Sequence, residues 1–183
     1  AIRKLYDLKK IDKIFCYPQP VHTFGLILGY VQSIIFQTPL VFCEGGYSSK
    51  AHEVWLREQT PGMLTLGAPT HFVDLISWLD KNKTQPKSTY SCIIGGAPVS
   101  KKLWNDIKQI LKIEQPSIGY GATEASPGVT HLPPGVEPIC DGDIGYLLEG
   151  VTFSEHTDEG YYFSGENVCC AILAEENIKQ ENK

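Results

Sequence analysis

The first two thirds of the chain alternate between short, almost continuous apolar runs and longer stretches in which apolar residues recur every three or four positions. The short runs predict β-strands at residues 13–18, 39–44, 62–66, 91–94 and 117–120. The longer stretches predict helices at residues 21–35, 49–58, 69–79 and 100–111. Ser49 and Ser100 stand where two of these helices begin, and a hydroxyl side chain is favoured there as an N-cap.

This alternation predicts the fold class. Apolar strands between amphipathic helices are typical of an α/β fold with a mostly parallel sheet and helices on both faces. Short alternating runs at 144–148, 151–154 and 161–164 then predict a short antiparallel β segment. We therefore expect an α/β subdomain over residues 1–138, an antiparallel β segment over 139–174 and a polar tail over 175–183.

Glycine, proline or polar residues follow several of the predicted strands directly. Because ligands of parallel α/β sheets bind beyond the carboxyl ends of the strands, these loops are expected to meet at one rim. They are residues 17–24, 67–69, 95–98 and 120–124. Their convergence makes a functional interpretation of each loop stronger than it is for any loop alone.

Composition and charge exclude some classes of partner. The formal net charge is -5 and no basic stripe is present, so the long-range field is not expected to attract nucleic acid or an anionic membrane. Polar residues and glycines interrupt the apolar stretch at 24–42, which predicts core elements and no transmembrane segment. The six cysteines form no C-x-x-C pair and no secretory signal opens the chain, so we expect reduced thiols in a cytoplasmic protein and no zinc site.

The run 118–124 carries the strongest candidate chemistry. Gly119 and Gly121 would let the backbone approach a bulky ligand, and Tyr120 offers a flat ring. Thr123 can donate to a phosphate oxygen, and Glu124 can bind a hard cation such as Mg²⁺. Two alternatives stay open at this point: a turn that needs glycine only for steric reasons, and a dinucleotide-binding fingerprint, although its third glycine position is occupied by a carboxylate.

Four segments together resemble the adenylate-forming enzymes, which include acyl-CoA synthetases, luciferases and the adenylation domains of peptide synthetases. Residues 20–25 are similar to the family's P-x-x-H-x-x-G segment, residues 95–100 to G-G-A-P-x-S and residues 120–124 to Y-G-x-T-E. Residues 142–145 are similar to G-E-I-G, with Asp143 in place of the glutamate. The motifs occur in the family's order over about residues 14–170.

The resemblance implies ATP-dependent activation of a small carboxylic acid, with Mg²⁺ required and with coenzyme A or a carrier protein as the thiol acceptor. It implies a nucleotide site at Gly95, Gly96, Ala97, Pro98, Tyr120, Gly121 and Thr123, catalytic roles for Thr123 and Glu124 with Glu124 as the metal ligand, and an acyl pocket at His22, Phe24, Gly67, Gly119 and Ala125. For His22 a capping or core role at the start of a helix is the alternative.

Other parts of the family's machinery do not occur in the sequence. Residues 1–13 contain no Ser/Thr/Gly-rich phosphate loop, and residues 160–168 match the segment that precedes the ribose-binding aspartate, so that aspartate and the catalytic lysine are expected beyond Lys183. We therefore expect negligible turnover from these 183 residues alone. A non-catalytic nucleotide- or acyl-binding remnant of the same fold is the alternative, and an oxidoreductase or hydrolase lacks the corresponding motifs.

Overall fold

The computed structural model describes residues 2–43, 47–156 and 160–169. Its main feature is a seven-stranded sheet in the order β2-β1-β3-β4-β5-β6-β7, and a separate hairpin is formed by β8 and β9. The strands are β1 (Lys13–Cys16), β2 (Leu40–Phe42), β3 (Met63–Gly67), β4 (Thr89–Gly95), β5 (Ile113–Gly121), β6 (Gly128–Leu132), β7 (Tyr146–Leu147), β8 (Val151–His156) and β9 (Gly160–Gly165).

The helices connect these strands. A π-helix (Phe24–Val31) continues directly as α1 (Gln32–Phe36), and it is followed by α2 (Ser49–Glu58), α3 (Pro69–Asn82) and α4 (Lys101–Gln109). Short 3₁₀ segments lie at Ile2–Leu5, Leu8–Lys10 and Thr123–Ala125. Ser100 caps α4 as predicted, because its hydroxyl accepts a hydrogen bond from the Leu103 amide at 3.1 Å. At α2 the prediction was off by one residue, since Ser48 occupies the N-cap position.

The predicted α/β fold with a mostly parallel sheet is confirmed. Strands β1 to β5 pair in parallel, whereas β6 is antiparallel to β5 and β7 is antiparallel to β6. Strand β6 was not predicted from the sequence, and the predicted boundary at 138/139 falls inside the large sheet, which continues to β7. The tail predicted at 175–183 lies outside the described residues.

Successive residues of a strand point to opposite sides of the sheet, and other elements pack against the side chains on both sides here. On one face Phe15 and Ile94 pack against helices α2 to α4, in a core cluster that contains Trp55, Phe72, Leu75, Trp104 and Ile107. On the other face Ile14 and Ile93 pack with Leu28 of the π-helix and with Tyr6. A cavity lies where the parallel strands end, and residues of both clusters line it.

Candidate active-site cleft

A cleft of about 530 Å³ lies beyond the carboxyl ends of β1, β3, β4 and β5. This volume is in the range of small-molecule sites. All four loops that were predicted to meet at one rim contribute residues to this cleft. Its walls are formed by Tyr17, Pro18, Gln19, His22, Thr23, Phe24, Leu28, Tyr47, Ala68, His71, Ile93, Gly95, Gly96, Gly119, Tyr120, Gly121, Ala122, Thr123, Pro127, Gly128, Thr130 and His131.

The loop after β5 presents polar groups at one side of the cleft. Tyr120 is 42% exposed, and its ring centroid lies 6.4 Å from that of Phe163 in the β8–β9 hairpin. Thr123 lines the cleft, and Glu124 is exposed beside it in a 3₁₀ turn. The backbone oxygen of Glu124 accepts a hydrogen bond from the Cys169 amide at 2.7 Å, so the loop is attached to the segment after β9 while the Glu124 carboxylate is exposed to solvent.

The residues predicted to bind nucleotide occupy different depths. Gly95 and Gly96 line the cleft, whereas Ala97 and Pro98 are exposed at its rim and do not line it. Gly95 has no room for a side chain because a β-carbon there would lie 2.9 Å from the Gly119 carbonyl oxygen of β5, with Phe24 Cε1 next at 3.4 Å. Gly96 has a φ of +87° and faces open space. Of this pair, Gly96 is the one that offers backbone directly to a ligand.

The residues predicted to form the acyl pocket also fall into two groups, those that line the cleft and those that do not. His22, Phe24 and Gly119 line the cleft. Gly67 does not line it, because the Phe72 ring fills the space beside it, with Cε2 at 2.8 Å from a β-carbon built on the glycine. Ala125 is 4% exposed and packs in a separate core cluster with Val129, Leu148 and Val151. Burial in the core therefore separates these two residues from the cleft.

Asp143, which stands in the glutamate's place, organises its own loop. Its carboxylate oxygens accept hydrogen bonds from the amides of Ile139 and Gly145, each at 2.9 Å. The same loop is joined to the 95–100 segment, since Gly142 donates to the Val99 carbonyl at 2.9 Å. Asp143 thus supports the rim and lies outside the cleft lining.

A group of rings that the sequence did not single out forms one wall. The Tyr17 hydroxyl lies 3.1 Å from His52 Nδ1. The Tyr17 ring stacks on the His71 ring, with 5.1 Å between the ring centroids. Tyr47 donates to Asp74 at 2.6 Å, and the Ala68 amide donates to His71 Nδ1 at 2.9 Å. Burial lowers the pKa of both histidines, which favours their neutral forms. Flat, uncharged ring faces are therefore available at this wall.

A second group that the sequence did not single out consists of Tyr6, Ser117 and His131. His131 of β6 is 2% exposed, and its Nε2 lies 2.9 Å from the hydroxyl of Tyr6, which is also hydrogen-bonded to Ser117 of β5. The signal that could have revealed it is the run 128–132, where a histidine and a threonine interrupt an apolar strand. The partners are 125 positions apart along the chain, so no local motif joins them.

The buried His131 predicts acid-sensitive folding. Burial lowers the pKa of His131 to about 4, whereas an unfolded histidine titrates near ~6.5. The unfolded state therefore binds more protons between these values, so stability is complete above pH ~6.5 and is lost as pH falls toward ~4. We expect a loss of about 3 kcal/mol in the free energy of unfolding, measured by urea denaturation across this window.

The matched control is His131→Leu, which cannot be protonated. Its unfolding free energy should depend less steeply on pH in the same window, and the remaining dependence should reflect His52 and His71, whose pKa values are also lowered. Parallel pH curves for the two proteins would contradict the assignment.

The loop after β5 has residues that suit Mg²⁺ bound together with the phosphates of a nucleotide. Magnesium commonly takes one or two carboxylates and completes its shell with water and substrate phosphates. Glu124 supplies an exposed carboxylate and directly follows Thr123, which lines the cleft. Within residues 2–43, 47–156 and 160–169 no group of three metal-ligating side chains forms a site made by protein alone.

No helix in the described part of the chain combines the length and the apolar character needed to cross a bilayer. The stretch at 24–42 contains the π-helix, α1 and β2, and α1 has no buried residue.

Comparison with known proteins identifies relatives. The mitochondrial medium-chain acyl-CoA ligase of Danio rerio is 31% identical over 125 residues, which is 67% of this chain and 20% of that protein. The benzoate CoA ligase of Burkholderia xenovorans has a TM-score of 0.78 at 15% identity and covers 97% of this chain and 39% of that one. The o-succinylbenzoate coenzyme A synthetase of Bacillus subtilis, solved with ATP and magnesium ion, has a TM-score of 0.71 at 18% identity. The match covers 97% of this chain and 37% of that one.

The chain spans about a fifth of the length of the Danio rerio relative, and the two structural likenesses show a shared fold. The family model described as AMP-binding enzyme matches residues 2–160, nearly the whole chain. The resemblance seen in the sequence motifs is thereby confirmed, and the chain belongs to the AMP-binding enzyme family, with acyl-CoA ligases among its relatives.

Proposed function

We propose that the chain is part of an ATP-dependent ligase that activates a small carboxylic acid as its acyl-adenylate and then passes the acyl group to a thiol. The observation that supports it most directly is that Tyr120, Thr123, Gly95 and Gly96 line one cleft, at the ends of the neighbouring strands β4 and β5. The Gly96 backbone and the Tyr120 ring are available to a base, and the Thr123 hydroxyl is available to a phosphate. Glu124 follows Thr123 in the chain and is exposed.

The proposed reaction joins the acid to the α-phosphate. A carboxylate oxygen attacks the α-phosphorus, the bond from this phosphorus to the bridging oxygen breaks, and pyrophosphate leaves. Thr123 would donate to an α-phosphate oxygen, and Tyr120 would stack on the adenine. Bound at Glu124, Mg²⁺ would offset the negative charge that develops on the phosphoryl oxygens. Coenzyme A is the acceptor that the acyl-CoA ligase relatives suggest, and a carrier protein is the other thiol to test.

The cleft also supports a place for the acid. Phe24, Leu28 and Ile93, which pack in one core cluster, line the cleft together with Gly119 and give it an apolar part. His22 is an exposed residue of the cleft lining, in the turn before the π-helix. A cytoplasmic location stays our prediction, whereas the Danio rerio relative is described as mitochondrial.

The proposal is tested by titrating this chain with Mg-ATP and with AMP in a calorimeter. We expect saturable binding, and we expect Thr123→Val to weaken ATP binding by about 10-fold, since a hydrogen bond to a charged group is lost. Thr152→Val is the matched control, because Thr152 is an exposed residue of the β8–β9 hairpin outside the cleft. Equal ATP affinities for the two variants would remove Thr123 from the site.

Turnover separates the ligase from the binding remnant. The chain alone is expected to show negligible acid-dependent exchange of pyrophosphate into ATP, because its sequence has no phosphate loop and no catalytic lysine motif. Robust exchange by the isolated chain would contradict this. A longer protein that contains these residues together with both missing parts should exchange, and failure there with nucleotide binding intact would favour the remnant.

A further inference from the structure

The cleft wall contains a buried polar atom that lacks a partner. Among the residues that the structure describes, none forms a hydrogen bond with Nδ1 of His131, although this residue is only 2% exposed. It lies beside Gly119, since a β-carbon built on the glycine would be 3.5 Å from Nδ1. Both residues line the cleft. Buried polar atoms are nearly always hydrogen-bonded, so this exception calls for a partner.

The neighbouring hydrogen bonds determine which atom carries the ring proton. Ser117 donates its only proton to the Cys92 carbonyl at 2.6 Å. Tyr6 must therefore donate its proton in its hydrogen bond to the Ser117 oxygen. The Tyr6 oxygen can then only accept from Nε2 of His131, 2.9 Å away. In a neutral imidazole one nitrogen carries the proton, so Nδ1 is left as an acceptor.

The surroundings make this acceptor selective. Phe24, Leu28, Ile93 and Gly119, which with His131 we call the acceptor end of the cleft, offer no other side-chain polar group. A ligand group that enters without a donor leaves Nδ1 both desolvated and unpaired, which is unfavourable. A ligand group with an O–H or N–H satisfies it.

We propose that the acid substrate carries an O–H or N–H donor on its acyl part, and that Nδ1 of His131 accepts the hydrogen bond from it. Tyr6 and Ser117 are then positioning residues, because they hold the ring in the tautomer that accepts. This inference rests on the proposed function, since it takes the acceptor end of the cleft as the acyl pocket.

The test compares acids that differ only in the donor. With Mg-ATP present, we would measure binding to this chain of benzoate, the hydroxybenzoates and their methyl ethers, the aminobenzoates and their N,N-dimethyl derivatives, and octanoate with its hydroxy derivatives and their methyl ethers. At least one hydroxy- or amino-substituted acid should bind about 10-fold more tightly than both its unsubstituted analogue and its methylated derivative that lacks the donor. Equal affinities within every set would mean that water alone fills the site, and would overturn the proposal.

A matched pair of variants isolates the acceptor. His131→Asn and His131→Leu have nearly the same shape, and both lose the Nε2 proton donated to Tyr6. Only asparagine keeps an oxygen acceptor near the place of Nδ1. The preference for donor-bearing acids should survive in His131→Asn and disappear in His131→Leu. Loss in both, or retention in both, would contradict the role of Nδ1.

A spectroscopic measurement is independent of any ligand. Imidazole ¹⁵N shifts of the free chain should show a protonated Nε2 and an unprotonated Nδ1 for His131, and Tyr6→Phe should shift the balance toward the other tautomer because the acceptor for Nε2–H is gone. A protonated Nδ1 in the wild-type chain would overturn the proposal.

The two proposals fail in different ways. If nucleotide does not bind but donor-bearing acids are preferred and the tautomer is as expected, the proposed ligase function fails and the acceptor assignment stands. If nucleotide binds and the acids of each set bind equally, only the acceptor assignment fails. If no acid binds at millimolar concentration, the acyl-pocket assignment is wrong and this inference is overturned with it.

Discussion

Gly121→Ala should destabilise the chain by about 3 kcal/mol, an effect at the upper end for overpacking a closely packed site. A β-carbon on Gly121 would lie 1.6 Å from the carbonyl oxygen of Pro127, far inside any non-bonded contact. The clash cannot be relieved by rotating a side chain, because the atom it meets is backbone. Urea denaturation measures the loss, and Mg-ATP binding should weaken with it.

Gly119→Ala is the control in the same strand. Its β-carbon would lie 3.4 Å from Ile93 Cγ2 and 3.5 Å from His131 Nδ1, which are ordinary contacts. We expect a stability change below ~1 kcal/mol and weaker binding of acids, because the new methyl group occupies the acceptor end of the cleft. Equal unfolding free energies for the two variants would show that the backbone at Pro127 yields easily.

The contrast between these glycines shows what the sequence could and could not tell. Both stand in one motif, and the motif alone allowed room for a ligand or a steric turn. The structure gives Gly121 a steric reason, since the β5–β6 register shifts between Tyr120 and Gly121 and the Ala122 amide donates to Pro127 at 2.9 Å. A β-carbon on Gly119 would meet only ordinary contacts. Local pattern could not separate the two, because the discriminating atoms belong to the next strand.

Helices and strands were predicted correctly from the sequence where the apolar periodicity is strong. The apolar runs at 62–66 and 91–94 lie in β3 and β4, with a shift of one residue at each end of β3 and an extension of β4 to 89–95. Strand β6 was missed because Pro127 just before it and Gly128 at its first position signal a loop. The π-helix was missed because its wider hydrogen-bond pattern has no distinct sequence period.

The candidate site was foreseeable only in its loops. Residues that share a short segment, such as Tyr120 and Thr123, were found because their spacing is local. Gly67 and Ala125 were placed in the acyl pocket by resemblance, yet they pack into core clusters away from the cleft lining. The Tyr6–His131 pair depends on long-range packing that brings the amino-terminal segment against β5 and β6.

Glu124→Gln should lower the rate of adenylation by roughly 10²–10³ if the carboxylate binds the Mg²⁺ that offsets charge in the transition state, because such a contact typically contributes this much. The amide side chain keeps the size of glutamate and removes its charge, and the backbone bond from Cys169 to Glu124 is unaffected. The rate is to be measured by acid-dependent pyrophosphate exchange, at saturating Mg²⁺, in a longer protein that contains these residues.

The isolated chain provides a second measurement, which does not need turnover. Binding of ATP to the wild-type chain should tighten as Mg²⁺ is added, and Glu124→Gln should lose most of this dependence, since the ion then bridges only water and phosphate. Glu166→Gln makes the same charge change at an exposed residue outside the cleft lining and should behave as wild type. Near-wild-type exchange rates, together with an unchanged Mg²⁺ dependence in Glu124→Gln, would show that the carboxylate does not bind the metal. Thr123 would then be the one polar side chain of this loop with a proposed role at the phosphate.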